Sequence, residues 1–258
     1  MSAGAVNTGE VYPSPDEARM LERMEDRRVR ALAVSHVQFH TGYRVDVARL
    51  SAAARASGTW LVFDSIQALG HLPFDVRETP VDILACGAQK WLCSPWGTGF
   101  AYVRPDLVGR LEPAEIGWMA QPASENFGSL MAYDATWHAD ARRFEVVTLD
   151  FVSFRAMAES IGLQLELGAA DIAAHVRALG DRAVAFAAGT AGVTLITPSE
   201  PTRRAGLFAF RTRDCAATSD RLRAARVAHS VREGCVRFSP HFYTTPDEFD
   251  HAMSLLAP

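Results

Sequence analysis

Lysine occurs once in this 258-residue chain, at Lys90, although Lys and Arg together number 26. A GC-rich genome would explain a general arginine preference, so the skew alone carries little. Arginine replaces lysine as a solvated surface charge, but it cannot condense with a carbonyl to form a Schiff base. Lys90 follows Gly87-Ala88-Gln89 at the end of an apolar run, and Trp91-Leu92-Cys93-Ser94-Pro95-Trp96-Gly97-Thr98-Gly99 follows it. Asp64-Ser65-Ile66-Gln67 closes a second apolar run, and Ser35-His36-Val37-Gln38 a third. An amine, a carboxylate and amides at such ends suit carbonyl chemistry, with the carboxylate holding a proton and the amides donating hydrogen bonds. Each residue also has a plainer reading. Lys90 alone is a solvated loop charge, and Asp64 alone a strand-end cap.

The elements that must place these groups follow from the periodicity. VRALAVSHV, TWLVFD, VDILACGAQ and TGFAYV are compact apolar runs and are expected as buried strands. Residues 16–28 carry Met20, Leu21 and Met24 at helical spacing among charges, which predicts a surface helix. Residues 45–57 are alanine-rich and stop at Gly58, a helix with a terminating glycine. Strand and helix in alternation predict an α/β fold with a mostly parallel sheet and flanking helices. Ligands of such sheets bind at the carboxyl ends of the strands, where Asp64 and Lys90 fall. Residues 104–150 are loop-rich and aromatic, and a helical stretch runs from Phe151 to Ala188 with Gly162 and Gly168 inside it. Beyond Gly189, GVTLIT, GLFAFRT and GCVRFSPHFY are expected strands, and CAATSDRLRAAR and TPDEFDHAMSLL expected helices. The boundary is placed near residue 175, giving a large domain over 1–175 and a small α+β domain over 176–258.

Composition narrows the classes. The chain is 48% hydrophobic and 22% charged with a formal net charge of −4, an ordinary globular balance without a basic nucleic-acid surface. It has no apolar run long enough for a membrane span and no signal-peptide layout in its first fifteen residues. Cys86, Cys93, Cys215 and Cys235 lack metal-ligand spacing, so no metal is expected. Reduced thiols and a cytoplasmic location are expected.

Pyridoxal phosphate asks for a lysine amine, a carboxylate against its pyridine nitrogen, a donor near its phenolic oxygen, and small or hydroxylated residues around its phosphate. Asp64-x-x-Gln67 followed by the Lys90 block, Trp91 and a Gly-Thr-Gly strand resembles the core of the class V aminotransferase-fold enzymes, which have the aspartate aminotransferase type I fold. That family includes cysteine desulfurases, kynureninase and isopenicillin N epimerase-like proteins. VSHVQFHTGYRVDVARL resembles the segment before the family's aspartate. ARRFEVVT, 141–148, resembles its Phe-Glu-x-Gly-Thr segment, and VRFSPHFYTTPDEFD, 236–250, its C-terminal motif. The resemblance runs from about residue 10 onward. Each motif alone is weak, and the four in the family's order are specific.

The resemblance implies roles by position. Lys90 would form the Schiff base with pyridoxal phosphate, Asp64 would pair with the pyridine nitrogen, and Gln67 would contact the phenolic oxygen. Gln89 stands where many members have a histidine near the phosphate, and Gly87 where many have a serine. Thr148 matches a threonine reaching the phosphate of the neighbouring subunit, which implies a homodimer, although Val147 replaces the usual glycine before it. Arg237 matches the arginine that binds the carboxylate of a small amino-acid substrate. His36 is expected to pack or orient near the site. Trp91 and Trp96 are expected to pack, Trp118 is a candidate for the substrate entrance, and Arg142 and Arg143 are expected partners for carboxylates.

Family members also carry an upstream phosphate-cradling helix start and a ring-stacking residue, and nothing in residues 1–30 matches either. The expectation is that roughly a quarter to a third of the usual chain is absent, as a fragment or mis-called start, a decayed gene, or a part supplied by another chain. A transaminase-, epimerase- or lyase-type reaction is expected. An inactive domain kept for dimerisation is the alternative. A desulfurase is disfavoured because Cys235 shares an expected strand with Arg237, leaving it no loop on which to swing. The SPHFYTTPDEFD ending favours the epimerase-like branch over kynureninase.

Overall fold

The computed structural model describes residues 16–115, 117–129, 131 and 136–257. It divides into two compact units. One comprises Arg23–His36 and Asp46–Val176. The other joins the described part of Met1–Glu22, the segment Val37–Val45, and Arg177–Pro258.

The first unit is built on a four-stranded sheet in the order β1 (Ala31–Ser35), β2 (Trp60–Asp64), β3 (Ile83–Gly87), β4 (Gly99–Val103). The first three strands are parallel, with Ser35 opposite Asp64 and Asp64 opposite Ala85. Their carboxyl ends therefore lie along one edge. Leu61 and Phe63 of β2 and Leu84 and Cys86 of β3 are buried at alternate positions, and that burial holds the strands in register. β4 runs antiparallel to β3, Gly87 facing Gly99. The connection Ala88–Thr98 is shorter than the dozen or so residues that a parallel crossover needs. The sheet is thus mixed at this edge, within the expected α/β class.

Helix α1 spans Glu17–Glu25 and α2 spans Val47–Ser57. Asp46 caps α2, its carboxylate accepting from Arg49 N at 3.0 Å. Gly58 ends it in the left-handed region at φ 73°, as a C-terminal glycine does. The short α3, Pro105–Val108, precedes a stretch of single 3-10 turns at Trp118–Ala120, Pro122–Glu125, Phe127–Ser129 and Ala141–Phe144. The expected long helix is two: α4, Phe151–Leu167, and α5, Ala169–Gly189. Gly168, at φ 88°, parts them, while Gly162 stays inside α4.

The second unit contains an antiparallel sheet in the order β5 (Val193–Leu195), β6 (Phe208–Thr212), β8 (Cys235–Phe238), β7 (Ser230–Arg232). Helices α6 (Cys215–Ala224) and α7 (Pro246–Ser254) accompany it. Phe208, Phe210, Phe238, Phe249, Leu222, Met253 and Leu256 close one core. A reciprocal cap, Thr245 with Glu248, starts α7. Two features differ from expectation. β8 stops at Phe238 rather than running to Tyr243, because Pro240 has no N–H for the ladder. β7 was not expected. It pairs with β8 through the two-residue turn Glu233-Gly234, both at positive φ, a tight hairpin geometry.

Candidate functional site

Asp64, Gln67, Gln89 and Lys90 gather at the carboxyl ends of β2 and β3. The backbone fixes this edge first. His36 N donates to Asp64 O at 2.9 Å and Ser65 N to Ala85 O at 2.8 Å. The Asp64 side chain is exposed at the strand end, and its Oδ1 accepts from Ile66 N at 3.0 Å. Lys90 is also exposed. Cys86 of β3, next to the Ala85 that faces Asp64, is 3% exposed, and burial pushes its thiol up to about 12. The Asp64 carboxylate raises it further and the Lys90 ammonium opposes that shift. Asp64 and the turn that carries Lys90 thus stand at the carboxyl ends of adjacent parallel strands.

The turn after β3 is anchored by Trp91, 3% exposed. Its indole stacks on His71 with centroids 3.8 Å apart. Its Nε1 donates to Gln67 Oε1 at 3.3 Å. Its carbonyl accepts from Gln164 Nε2 of α4 at 3.0 Å. Gly70, at φ +107°, lies so close that a Cβ there would fall 2.4 Å from the Trp91 oxygen. This anchoring set was the main omission of the sequence reading. Its signals were present: a glycine and histidine just beyond Gln67, and a lone Gln164 among apolar helix residues.

Gln89, half-buried, folds back over Gly87. A Cβ at residue 87 would lie 2.6 Å from Gln89 Oε1 and 2.9 Å from Ile66 Cδ1. The two departures from the family pattern are therefore neighbours, with the glutamine amide using space that glycine leaves. Downstream, Ser94 N donates to Ala88 O at 3.1 Å and Ala88 N to Thr98 O at 3.0 Å, which closes the loop onto β4. Trp96 was expected to pack. It is 82% exposed, so that expectation is overturned; the tight turn that Gly97 makes at φ 85° leaves it outside the core.

Thr148 lies on a different part of the same unit. Its exposed hydroxyl accepts from Trp118 Nε1 at 3.2 Å. Gly117 packs so tightly on Val146 that a Cβ would fall 1.8 Å from the Val146 oxygen. No described hydrogen bond joins this segment to the Asp64–Lys90 group. Val146, Val147, Phe127, Phe151 and Val152 are exposed around it. Arg142 pairs with Glu125 and Asp140, and Arg143 donates to Val108 O. His36 is buried between Phe63 and Phe74, each ring 5.5 Å away.

Arg237 belongs to the second unit, on β8. It is half-buried, and its Nη1 donates to Phe39 O of the segment Val37–Val45. Its Nε is buried without a partner, and among the described residues no carboxylate pairs with it. Burial and the Arg232 charge pull its pKa down. A guanidinium in that position lacks a counter-charge, and a carboxylate ligand would supply one. Cys235, two residues earlier, is 1% exposed inside the same strand. The four cysteines form no disulfide, and no cluster of the described residues could hold a metal ion. No described helix is long and apolar enough to cross a membrane.

Comparison with known proteins adds four findings. The model of the family described as Aminotransferase class-V matches residues 13–251. The chain is 33% identical over 254 residues to the uncharacterized aminotransferase YcbU of Bacillus subtilis, covering 97% of this chain and 66% of the relative. It is 34% identical over 239 residues to isopenicillin N epimerase of Streptomyces clavuligerus, covering 89% of this chain and 60% of the relative. Among solved structures, the cystine C–S lyase C-DES in complex with cysteine persulfide superposes with a TM-score of 0.83 at 23% identity, covering 95% of this chain and 66% of that one. That last likeness concerns the fold. The chain thus spans 60–66% of the length of these relatives.

Proposed function

The chain belongs to the aminotransferase class-V family, and from that premise we propose that it carries the Lys90 part of an enzyme that binds pyridoxal phosphate and acts on a small amino acid through a Schiff base. The reaction would be of transaminase, epimerase or lyase type. The observation that supports this reading is the placement of Asp64 and the Lys90 turn at the carboxyl ends of the adjacent parallel strands β2 and β3.

The residues fit the cofactor. When bound, pyridoxal phosphate supplies an electron sink for bond breaking at the amino acid's α-carbon. Lys90, exposed at the turn after β3, would hold the cofactor covalently through Nζ and would carry a proton to or from that carbon. The Asp64 carboxylate would hold the proton on the pyridine nitrogen. Gln67 would donate from Nε2 to the phenolic oxygen, since its Oε1 is engaged by Trp91. Gln89, over Gly87, would offer its amide to the phosphate in place of a histidine. Arg237 would pair with the substrate carboxylate, meeting the counter-charge it lacks.

Thr148 would serve the phosphate of a second copy, making the protein a homodimer. Its hydroxyl only accepts from Trp118, so its proton remains available to a phosphate oxygen. The exposed Val147, Phe127, Phe151 and Val152 around it support a covered surface. A desulfurase mechanism with Cys235 as sulfur carrier is not favoured, because that thiol is buried in a strand.

The test is direct. Purified chain mixed with pyridoxal phosphate should develop a yellow band, and Arg237→Ala should keep the band while weakening amino-acid binding at least tenfold, since a charge-assisted pair is worth about 1.5–3 kcal/mol. A chain that stays colourless in excess cofactor would contradict the reading and favour an inactive dimerisation domain.

A further inference from the structure

We propose that Trp91 is a positioning residue that sets which end of the Gln67 amide faces the cofactor. An indole N–H can only donate. Its bond to Gln67, 3.3 Å long and made by a residue 3% exposed, therefore pins the carbonyl end of the amide to Trp91. The NH2 end must point the other way. Without that bond, a glutamine amide can turn over, since its two ends are alike in size.

The indole itself is not free to drift. It stacks on His71 at 3.8 Å, and Gln164 grips its backbone oxygen. Gly70 allows the His71 strand-end turn to approach it as no other residue could. The backbone bond from Cys93 N to Lys90 O, 3.1 Å, then ties the lysine to the same turn. Trp91 thus fixes the amide that would donate to the phenolic oxygen, and it does so within the turn that carries the amine. This inference rests on the proposed cofactor role of Lys90 and Gln67.

The chemistry gives a sign. An NH2 donor draws electron density from the phenolic oxygen and so makes the neighbouring Schiff-base nitrogen less basic. A reversed amide would set a carbonyl oxygen against the phenolic oxygen and make that nitrogen more basic. Losing the Trp91 N–H should therefore raise the pH at which the visible band titrates. The size is that of a hydrogen bond to a charged group, about one pH unit.

The experiment is a double-mutant cycle on the full 258-residue chain loaded with pyridoxal phosphate. Trp91→Phe keeps an aromatic ring for His71 but lacks the donor. Gln67→Leu removes the amide. The titration midpoint should rise by about one unit in Trp91→Phe. In the Gln67→Leu background the same tryptophan substitution should add no shift, because its route is gone. A packing role would move the midpoint equally in both backgrounds, or in neither, and either result overturns the proposal. The Trp91 indole N–H resonance of the unloaded chain, read by NMR, separates this idea from the cofactor reading. It should move on Gln67→Leu whether or not cofactor binds. A stationary resonance overturns the positioning role. A moving one in a chain that takes no colour supports the contact and counts against the cofactor reading alone.

Discussion

The Lys90 turn and the stretch from Gly117 to Val152 both carry residues matched to cofactor contacts, and they are built in opposite ways. The turn hangs on a buried tryptophan held by stacking, a side-chain bond and a backbone bond. The described part of the stretch contains 3-10 turns in which the Trp118 indole donates to an exposed threonine. Around the turn, Leu84, Ala88 and Trp91 are buried; along the stretch, Phe127, Val147, Phe151 and Val152 face outward. The difference indicates which part of the proposed site the chain supplies alone. The lysine edge is completed by its own core. The threonine segment has apolar side chains still to cover, as the proposed second copy would do.

Removing the two tryptophans should separate these regions most widely. Trp91→Ala should cost about 3–5 kcal/mol in urea unfolding, the range for a buried aromatic. Trp118→Ala should cost under about 1 kcal/mol, since its ring is partly exposed and its bond lies at the surface. Equal costs would dissolve the contrast.

A smaller effect belongs to the Lys90 side alone. The Cys86 thiol is held well above its ordinary value, at about 12. Its neutral form is favoured by the fold, so that contribution is whole below the unfolded thiol's pKa and is lost as pH rises toward 12. The urea midpoint should therefore fall more steeply above about pH 9 in the parent chain than in Cys86→Ala. Parallel curves would show that the thiol is not so held.

The smallest expected change in folding is on the other side. Thr148→Ala should alter stability by less than about 0.5 kcal/mol yet weaken cofactor retention in the assembled protein. Val147→Asp should lower self-association measured by sedimentation. Unchanged association would detach this surface from any second copy.

Much of this was legible beforehand, and the reasons are specific. The apolar runs ending in Asp64 and Gln89 pointed to β2 and β3, because each is a short compact apolar run, although only alternate residues of the two strands are buried. The parallel pairing then followed from α2 lying between β1 and β2. The antiparallel β4 depended on the length of one connection, and β7 on a Glu-Gly turn with no apolar alternation around it. The site residues could be named from the motifs. Their support could not, because Gln67, Gly70, His71 and Gln164 meet at Trp91 only once the chain is folded. The bond from Arg237 to Phe39 spans most of the chain and leaves no local trace.

Borohydride reduction of the 258-residue chain in the presence of pyridoxal phosphate, followed by peptide mapping, tests the central claim most directly. Lys90 is the only lysine, so the competing amine is the N-terminus. The reduced cofactor should be found on Lys90. Modification confined to the N-terminal amine, or none with cofactor in excess, would contradict the assignment.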